Sequence, residues 1–96
     1  MVELIYQRGE TYVLGLEVKD DSGEYYDPDT SVTAEIIDPN GVVKSSGSMV
    51  RDSVGNYHYD YTIQVSDDIG VWYAKVICVD GTRTTIKSIG FMVEDL

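Results

Sequence analysis

The stretch Asn56-Tyr57-His58-Tyr59-Asp60-Tyr61-Thr62-Ile63-Gln64 alternates without a break. In an extended chain Tyr57, Tyr59, Tyr61 and Ile63 fall on one face, and His58, Asp60, Thr62 and Gln64 on the other. A period of two, rich in aromatic and β-branched residues, describes a half-buried strand, because successive side chains leave the backbone on opposite sides. The same pattern occupies Thr11 to Lys19, where Tyr12, Leu14, Leu16 and Val18 oppose Thr11, Glu17 and Lys19. It returns in Val71 to Asp80. There Trp72, Ala74, Val76 and Cys78 face one way, and Val71, Tyr73, Lys75, Ile77 and Val79 the other. Such a strand is either covered on both sides or lies where a partner docks. No segment of useful length sustains a period of 3.6.

Between these runs the punctuation is uniform, with Asp first and Gly shortly after. It reads Asp20-Asp21-Ser22-Gly23, Asp38-Pro39-Asn40-Gly41, Asp52-Ser53-Val54-Gly55, Asp67-Asp68-Ile69-Gly70 and Asp80-Gly81. Asp accepts backbone N–H groups ahead of it, and Gly supplies a positive φ. Asp80-Gly81 fits a two-residue hairpin and Asp38-Pro39-Asn40-Gly41 a longer one. Arg8-Gly9 marks a kink. Residues 24–30 are the longest connection, from which Pro28 excludes a central strand. The Ser-Ser-Gly-Ser run at 45–48 suits an edge strand or a flexible connection. Strands are predicted at 2–6, 10–19, 31–37, 42–49, 56–64, 70–80 and 83–93. About seven short strands in one chain predict a single all-β domain over 1–96, an antiparallel immunoglobulin-like β-sandwich. With Cys78 the only cysteine, no disulfide joins the sheets. Packing among residues such as Leu14, Ile36 and Trp72 must hold them.

Ninety-six residues suffice for one modest core and not for two. The formal charge is 7 − 17 = −10, which argues against a nucleic-acid partner and against an anionic membrane surface. Hydrophobic residues make up 43% of the chain, too many for a disordered segment. Apolar runs are only a few residues long, so membrane insertion by a helix is not expected. Met1-Val2-Glu3-Leu4-Ile5-Tyr6 has neither the basic start nor the long apolar stretch of a secretory signal.

Most of the carboxylates read as turn formers. Topology adds a second expectation. If strands alternate in direction, connections 20–30, 50–55 and 80–82 share one pole of the sandwich. Asp20, Asp21, Glu24, Asp27, Asp29, Asp52 and Asp80 then gather there, with Arg51 and Arg83 as partial counter-charges. Such a pole could repel itself, hold a hard cation, or meet a basic partner. Tyr25 and Tyr26, loop aromatics without a core role, are the natural anchors. The partner-binding candidates are therefore Tyr25, Tyr26, Asp27, Asp29, Arg51, Asp52 and Arg83. Asp20-Asp21-Ser22-Gly23-Glu24 lacks the spacing of an EF-hand, and no metal site or cofactor is assigned.

Catalytic candidates are weak. His58 stands beside Asp60 at i+2, but nothing supplies a nucleophile or an oxyanion site, and an exposed strand histidine is the simpler reading. Cys78 shares the face of Trp72 and reads as a small buried filler with an unreactive thiol. Tyr57, Tyr59 and Tyr61 read as core residues with hydroxyls at the rim. The chain is expected to be non-enzymatic.

The ordered series Arg8-Gly9-Glu10-Thr11, Asp27-Pro28-Asp29-Thr30-Ser31-Val32-Thr33, Asp38-Pro39-Asn40-Gly41, Val50-Arg51-Asp52-Ser53-Val54-Gly55-Asn56-Tyr57 and Gly70-Val71-Trp72-Tyr73-Ala74 resembles small immunoglobulin-like proteins of tailed-phage and prophage head–tail gene clusters. That resemblance implies a virion protein: a head decoration, head–tail or tail accessory part, assembled in the host cytoplasm with other virion proteins. The chain is more loosely similar to macroglobulin-type domains and bacterial surface immunoglobulin-like repeats. These share the Gly-Glu strand opening, the Asp-Pro-x-Gly turn and the Gly-x-Tyr strand start. That likeness implies instead a domain of a cell-surface protein that binds a protein or carbohydrate. Either way, edge strands are expected to carry association, including with further copies of the chain.

Overall fold

The structure, a computed structural model, describes residues 5–95. Eight strands follow in order: β1 (Ile5–Gln7), β2 (Thr11–Glu17), β3 (Ser31–Ile37), β4 (Val43–Ser48), β5 (Val50–Ser53), β6 (Asn56–Thr62), β7 (Gly70–Asp80) and β8 (Arg83–Glu94). They form two sheets, β1-β8-β7-β3-β4 and β2-β6-β5. No helix occurs among the described residues, so none there is long and apolar enough to cross a membrane.

The all-β sandwich is as the alternation predicts, with three differences. β5 is a strand where a connection was expected. Its residues Val50-Arg51-Asp52-Ser53 are all exposed, so no inward–outward pattern advertises it. β1 runs parallel to β8, with Ile5 opposite Met92 and Gln7 opposite Glu94, so the sandwich is not wholly antiparallel. Residues 2–4 of the expected first strand lie outside the described residues. The third difference is small. Asp80 pairs with Arg83, so the two-residue loop is Gly81-Thr82 rather than Asp80-Gly81. Gly81 at φ +64° takes the first loop position, as a type II′ turn requires.

Among the described residues the chain changes sheets four times, twice through short joints. One is Arg8-Gly9-Glu10, between β1 and β2, where Gly9 has φ +97° and donates its N–H to the Ile63 carbonyl at 2.7 Å. The other is Met49, between edge strand β4 and β5. Its side chain is buried and its N–H reaches the Val32 carbonyl at 2.9 Å.

Between the layers lie Leu14, Ile36, Ile63, Trp72 and Val93, all essentially buried. Burial of each such side chain contributes about 1.5–3 kcal/mol. Tyr12 stacks on Phe91 with ring centroids 4.0 Å apart, and Tyr6 meets both edge-on. Burial, aided by Tyr6, pushes the Tyr12 hydroxyl up to about 12. The Trp72 indole N–H donates to the Asp68 carbonyl at 2.8 Å. The strand tyrosines behave as expected: Tyr57, Tyr59 and Tyr61 turn inward and place hydroxyls on Asp27, Ser45 and Asp67.

β7 and β8 are the longest strands, at 11 and 12 residues, against seven for β2 and β6. Their shared hairpin therefore outruns the smaller sheet, in a molecule 43 Å long and 20 Å thick. The inward positions of β8 show this. Phe91 and Val93 are buried, while Ile89, Lys87, Thr85 and Arg83 are exposed.

Candidate functional site

The expected acidic pole is partly assembled, but its members are engaged in holding the loops. Asp27 Oδ1 accepts the Gly55 N–H at 2.9 Å and the Tyr57 hydroxyl at 2.8 Å. Its Oδ2 accepts Arg51 Nε at 3.0 Å. Those bonds, the Gly55 amide foremost, hold the Asp27 carboxyl below its ordinary value. Asp29 Oδ1 accepts the Thr30 hydroxyl at 3.0 Å and the Gly81 N–H at 2.7 Å, while the Asp29 N–H donates to Asp80 Oδ1 at 3.1 Å. So Asp27 with Arg51 ties the long connection to the β5–β6 hairpin, and Asp29 ties it to the β7–β8 hairpin.

Asp52 does not join them. It is the extra residue of the irregularity between Arg51 and Ser53, and its carboxylate lies 2.7 Å from His58 Nδ1. This is the partner of His58, in place of Asp60 at i+2. Backbone register decides it, because β5 runs beside β6 and places Val50 opposite His58. The Asp52 hydrogen bond raises the His58 pKa above its ordinary 6.5. Among the described residues no group of three or more His, Cys, Asp or Glu side chains is placed to hold a metal ion.

Tyr25 is exposed, as a loop anchor should be, but it is tethered. Its hydroxyl donates to Glu17 at 2.5 Å, and Lys19 Nζ sits 4.9 Å from its ring centre. Tyr26 and Arg83 line an adjoining groove of about 480 Å³ between the end of β2 and the overhanging β7–β8 hairpin, to which Glu17 and Lys19 also belong. Leu16, Val18, Val76 and Cys78 give it an apolar floor; Lys19, Arg83 and Lys87 line it with cations; Glu17 and Asp80 are its carboxylates. Cys78 is only partly buried there, where a fully buried filler was expected. Burial still raises its thiol pKa, which disfavours the reactive thiolate.

Cation pairing sets this groove apart. Of the seven Lys and Arg residues, Arg8, Lys44, Arg51 and Lys75 stand against Asp95, Asp67, Asp27 and Glu35. Lys19, Arg83 and Lys87 join no carboxylate among the described residues, and all three line the groove. Sequence reading missed Lys19 and Lys87. The signal was present: the inward parity set by Phe91 and Val93 continues through Ile89 to Lys87, Thr85 and Arg83. Polar residues on an inward face say that nothing covers it there.

No protein-family model matches the chain, and no curated protein does. Among solved structures it superposes on Salmonella alpha-2-macroglobulin reacted with methylamine with a TM-score of 0.78 and 26% identity, over 98% of this chain and 6% of that one. It superposes on Escherichia coli alpha-2-macroglobulin activated by porcine elastase with a TM-score of 0.78 and 24% identity, over 98% and 8%. The trypsin-activated Escherichia coli protein gives 0.76 and 25%, over 96% and 6%. The chain thus spans a small fraction of the length of the proteins it resembles. These likenesses lend no support to a virion role. The chain is an immunoglobulin-like, macroglobulin-like β-sandwich similar to one small domain of bacterial alpha-2-macroglobulins.

Proposed function

We propose that the chain is a non-enzymatic interaction module of a larger cell-surface protein, and that it works by docking protein partners on its surface. The observation that carries this reading is the proportion of the likeness: nearly all of this chain corresponds to a few per cent of a much longer bacterial protein. The site chemistry supports it. His58 of β6 pairs through Nδ1 with Asp52 of the exposed strand β5, and no hydroxyl or thiol is hydrogen-bonded to its ring among the described residues. Cys78 carries a thiol biased toward its neutral form. Neither arrangement meets the geometric demands of a catalytic centre.

The test is fractionation of the source cells, followed by blotting with antibody raised against this chain. The module reading expects signal in the cell-envelope fraction, on a polypeptide far larger than 10.7 kDa. Signal in purified virus particles instead would overturn it in favour of a virion part.

A further inference from the structure

From Arg83 to Gly90 every residue of β8 is exposed. Along that stretch β8 is paired on one side, to β7. Among the described residues, β1 covers its other side only at Met92–Glu94. Alternate residues of Arg83–Lys87 bond to β7, and the N–H and C=O groups of those between them form an open edge along the mouth of the groove. An open edge is a template for a further strand, and main-chain pairing there gives affinity while alternate side chains give specificity.

Charge decides what kind of strand fits. Cations on an edge ordinarily repel a neighbour, yet this protein carries −10 overall. The three Lys and Arg residues that meet no carboxylate among the described residues all line this groove, Lys19 with its Nζ 4.9 Å from the Tyr25 ring centre. Arg83, Thr85 and Lys87 share the inward face of β8. A strand laid beside it sets its own inward side chains about 4.5–5.5 Å away, Cβ to Cβ. Carboxylates four residues apart in that strand would meet Arg83 and Lys87, with Lys19 approaching from the end of β2. Its outward side chains would meet Ile86, which is 55% exposed. The groove's own carboxylates each accept a hydrogen bond, Glu17 from the Tyr25 hydroxyl and Asp80 from the Asp29 N–H, and neither is ion-paired with Lys19, Arg83 or Lys87. The facing edge of β2 has no cation between Thr11 and Glu17, so it does not compete.

We propose that the β8 edge at Arg83–Lys87 docks an extended, carboxylate-bearing segment of a partner protein, by strand addition across the mouth of the Lys19–Arg83–Lys87 groove. This deepens the module reading above and rests on it for the existence of a protein partner.

The probe is the peptide acetyl-Thr-Glu-Val-Thr-Val-Glu-Thr-amide, titrated into the isotope-labelled chain and followed by amide chemical shifts. Saturable shifts centred on residues 83–88 are expected. Replacing both peptide Glu by Gln, or combining Arg83→Glu with Lys87→Glu in the protein, should weaken binding by about tenfold or more. Both substituted side chains are exposed, and an unchanged melting temperature would show that the fold is kept. Two peptides N-methylated at odd or at even positions test the backbone pairing: one of them should lose binding, because alternate N–H groups face the edge. Absence of saturable shifts, or binding indifferent to the charge reversal, would overturn the proposal. Self-association of the chain that the double substitution abolishes would overturn it in favour of a second copy. Loss of peptide binding with the chain still in the envelope fraction rejects this inference alone. The reverse result rejects only the module reading.

Discussion

The Gly55 amide donates to the Asp27 carboxylate at 2.9 Å, and this bond sits where backbone meets backbone with no room for a side chain. A Cβ on Gly55 would lie 2.6 Å from the Val18 carbonyl oxygen and 3.0 Å from both Tyr25 Cβ and the Tyr26 amide nitrogen. Gly55 also has φ +71°, and its carbonyl accepts the Val18 N–H at 2.7 Å. Gly55 is thus the point where the long connection is pinned to the β5–β6 hairpin.

Gly55→Ala is accordingly predicted to be among the most damaging loop substitutions. A left-handed backbone costs a non-glycine residue about 1–2 kcal/mol, and overpacking against fixed backbone adds about 1–3 kcal/mol. Chemical denaturation should show a loss of about 2–5 kcal/mol with an unchanged slope. Gly23→Ala is the control: that residue has φ +86° but nothing within 4 Å of a new Cβ, so only the conformational part should appear.

Asp67 is predicted to shape acid stability. It is 4% exposed and accepts the Tyr61 hydroxyl at 2.6 Å and the Gln64 N–H at 2.8 Å, with Lys44 Nζ at 3.6 Å. Burial pushes its carboxyl up, but Tyr61, Gln64 and Lys44 together bring it below its ordinary 3.8. A carboxyl whose pKa is depressed on folding contributes stability that is full above the unfolded value and disappears as pH falls through the folded one. Asp67→Ala leaves Tyr61 and Gln64 without that acceptor, so a loss of about 1–3 kcal/mol at neutral pH is expected. Melting temperatures followed from about pH 7 to below the ordinary carboxylate range should converge between wild type and variant at the acid end.

His58 is predicted to titrate above its ordinary 6.5 because of Asp52. A pKa raised on folding contributes stability that is full below the unfolded value and is lost as pH rises through the folded one. The imidazole proton resonances should report this directly, and Asp52→Asn should return the midpoint toward 6.5. Asp60→Asn should move it much less, since Asp60 acts on His58 through charge alone. A shift dominated by Asp60 would contradict the β5–β6 register that sets Asp52 beside the imidazole.

Cys78 should alkylate slowly. Its thiol is partly covered and its pKa is raised by burial. Iodoacetamide at mildly alkaline pH is expected to modify it about tenfold more slowly in the folded chain than in denaturant. A folded-state rate equal to the denatured one would mean that the groove floor is open to solvent.

Sandwich layering, the aromatic core and the turn positions were legible because each is local. Tyr12, Leu14 and Trp72 announce their faces by alternation, and Gly41, Gly55 and Gly81 announce turns by conformational freedom that side chains lack. β5 was not legible, because Val50-Arg51-Asp52-Ser53 buries nothing on either face. Its strand character comes from hydrogen bonding to β6. The expected site was half legible: Asp27 and Arg51 do meet, as do Asp29 and Asp80, but as loop ties. Asp52 departs to His58, and Arg83 to the groove.

From the amino-acid order alone came the chemistry of each face, the absence of a disulfide between sheets, and the net charge of −10. Tertiary structure decided which charges neutralise one another and which remain available. Lys19 and Lys87 are 68 residues apart in the chain and lean into one groove only because β7 and β8 run on past the smaller sheet. Side-chain periodicity is a property of neighbours in sequence, whereas the pairing of charges depends on through-space distance, which strand register and length set.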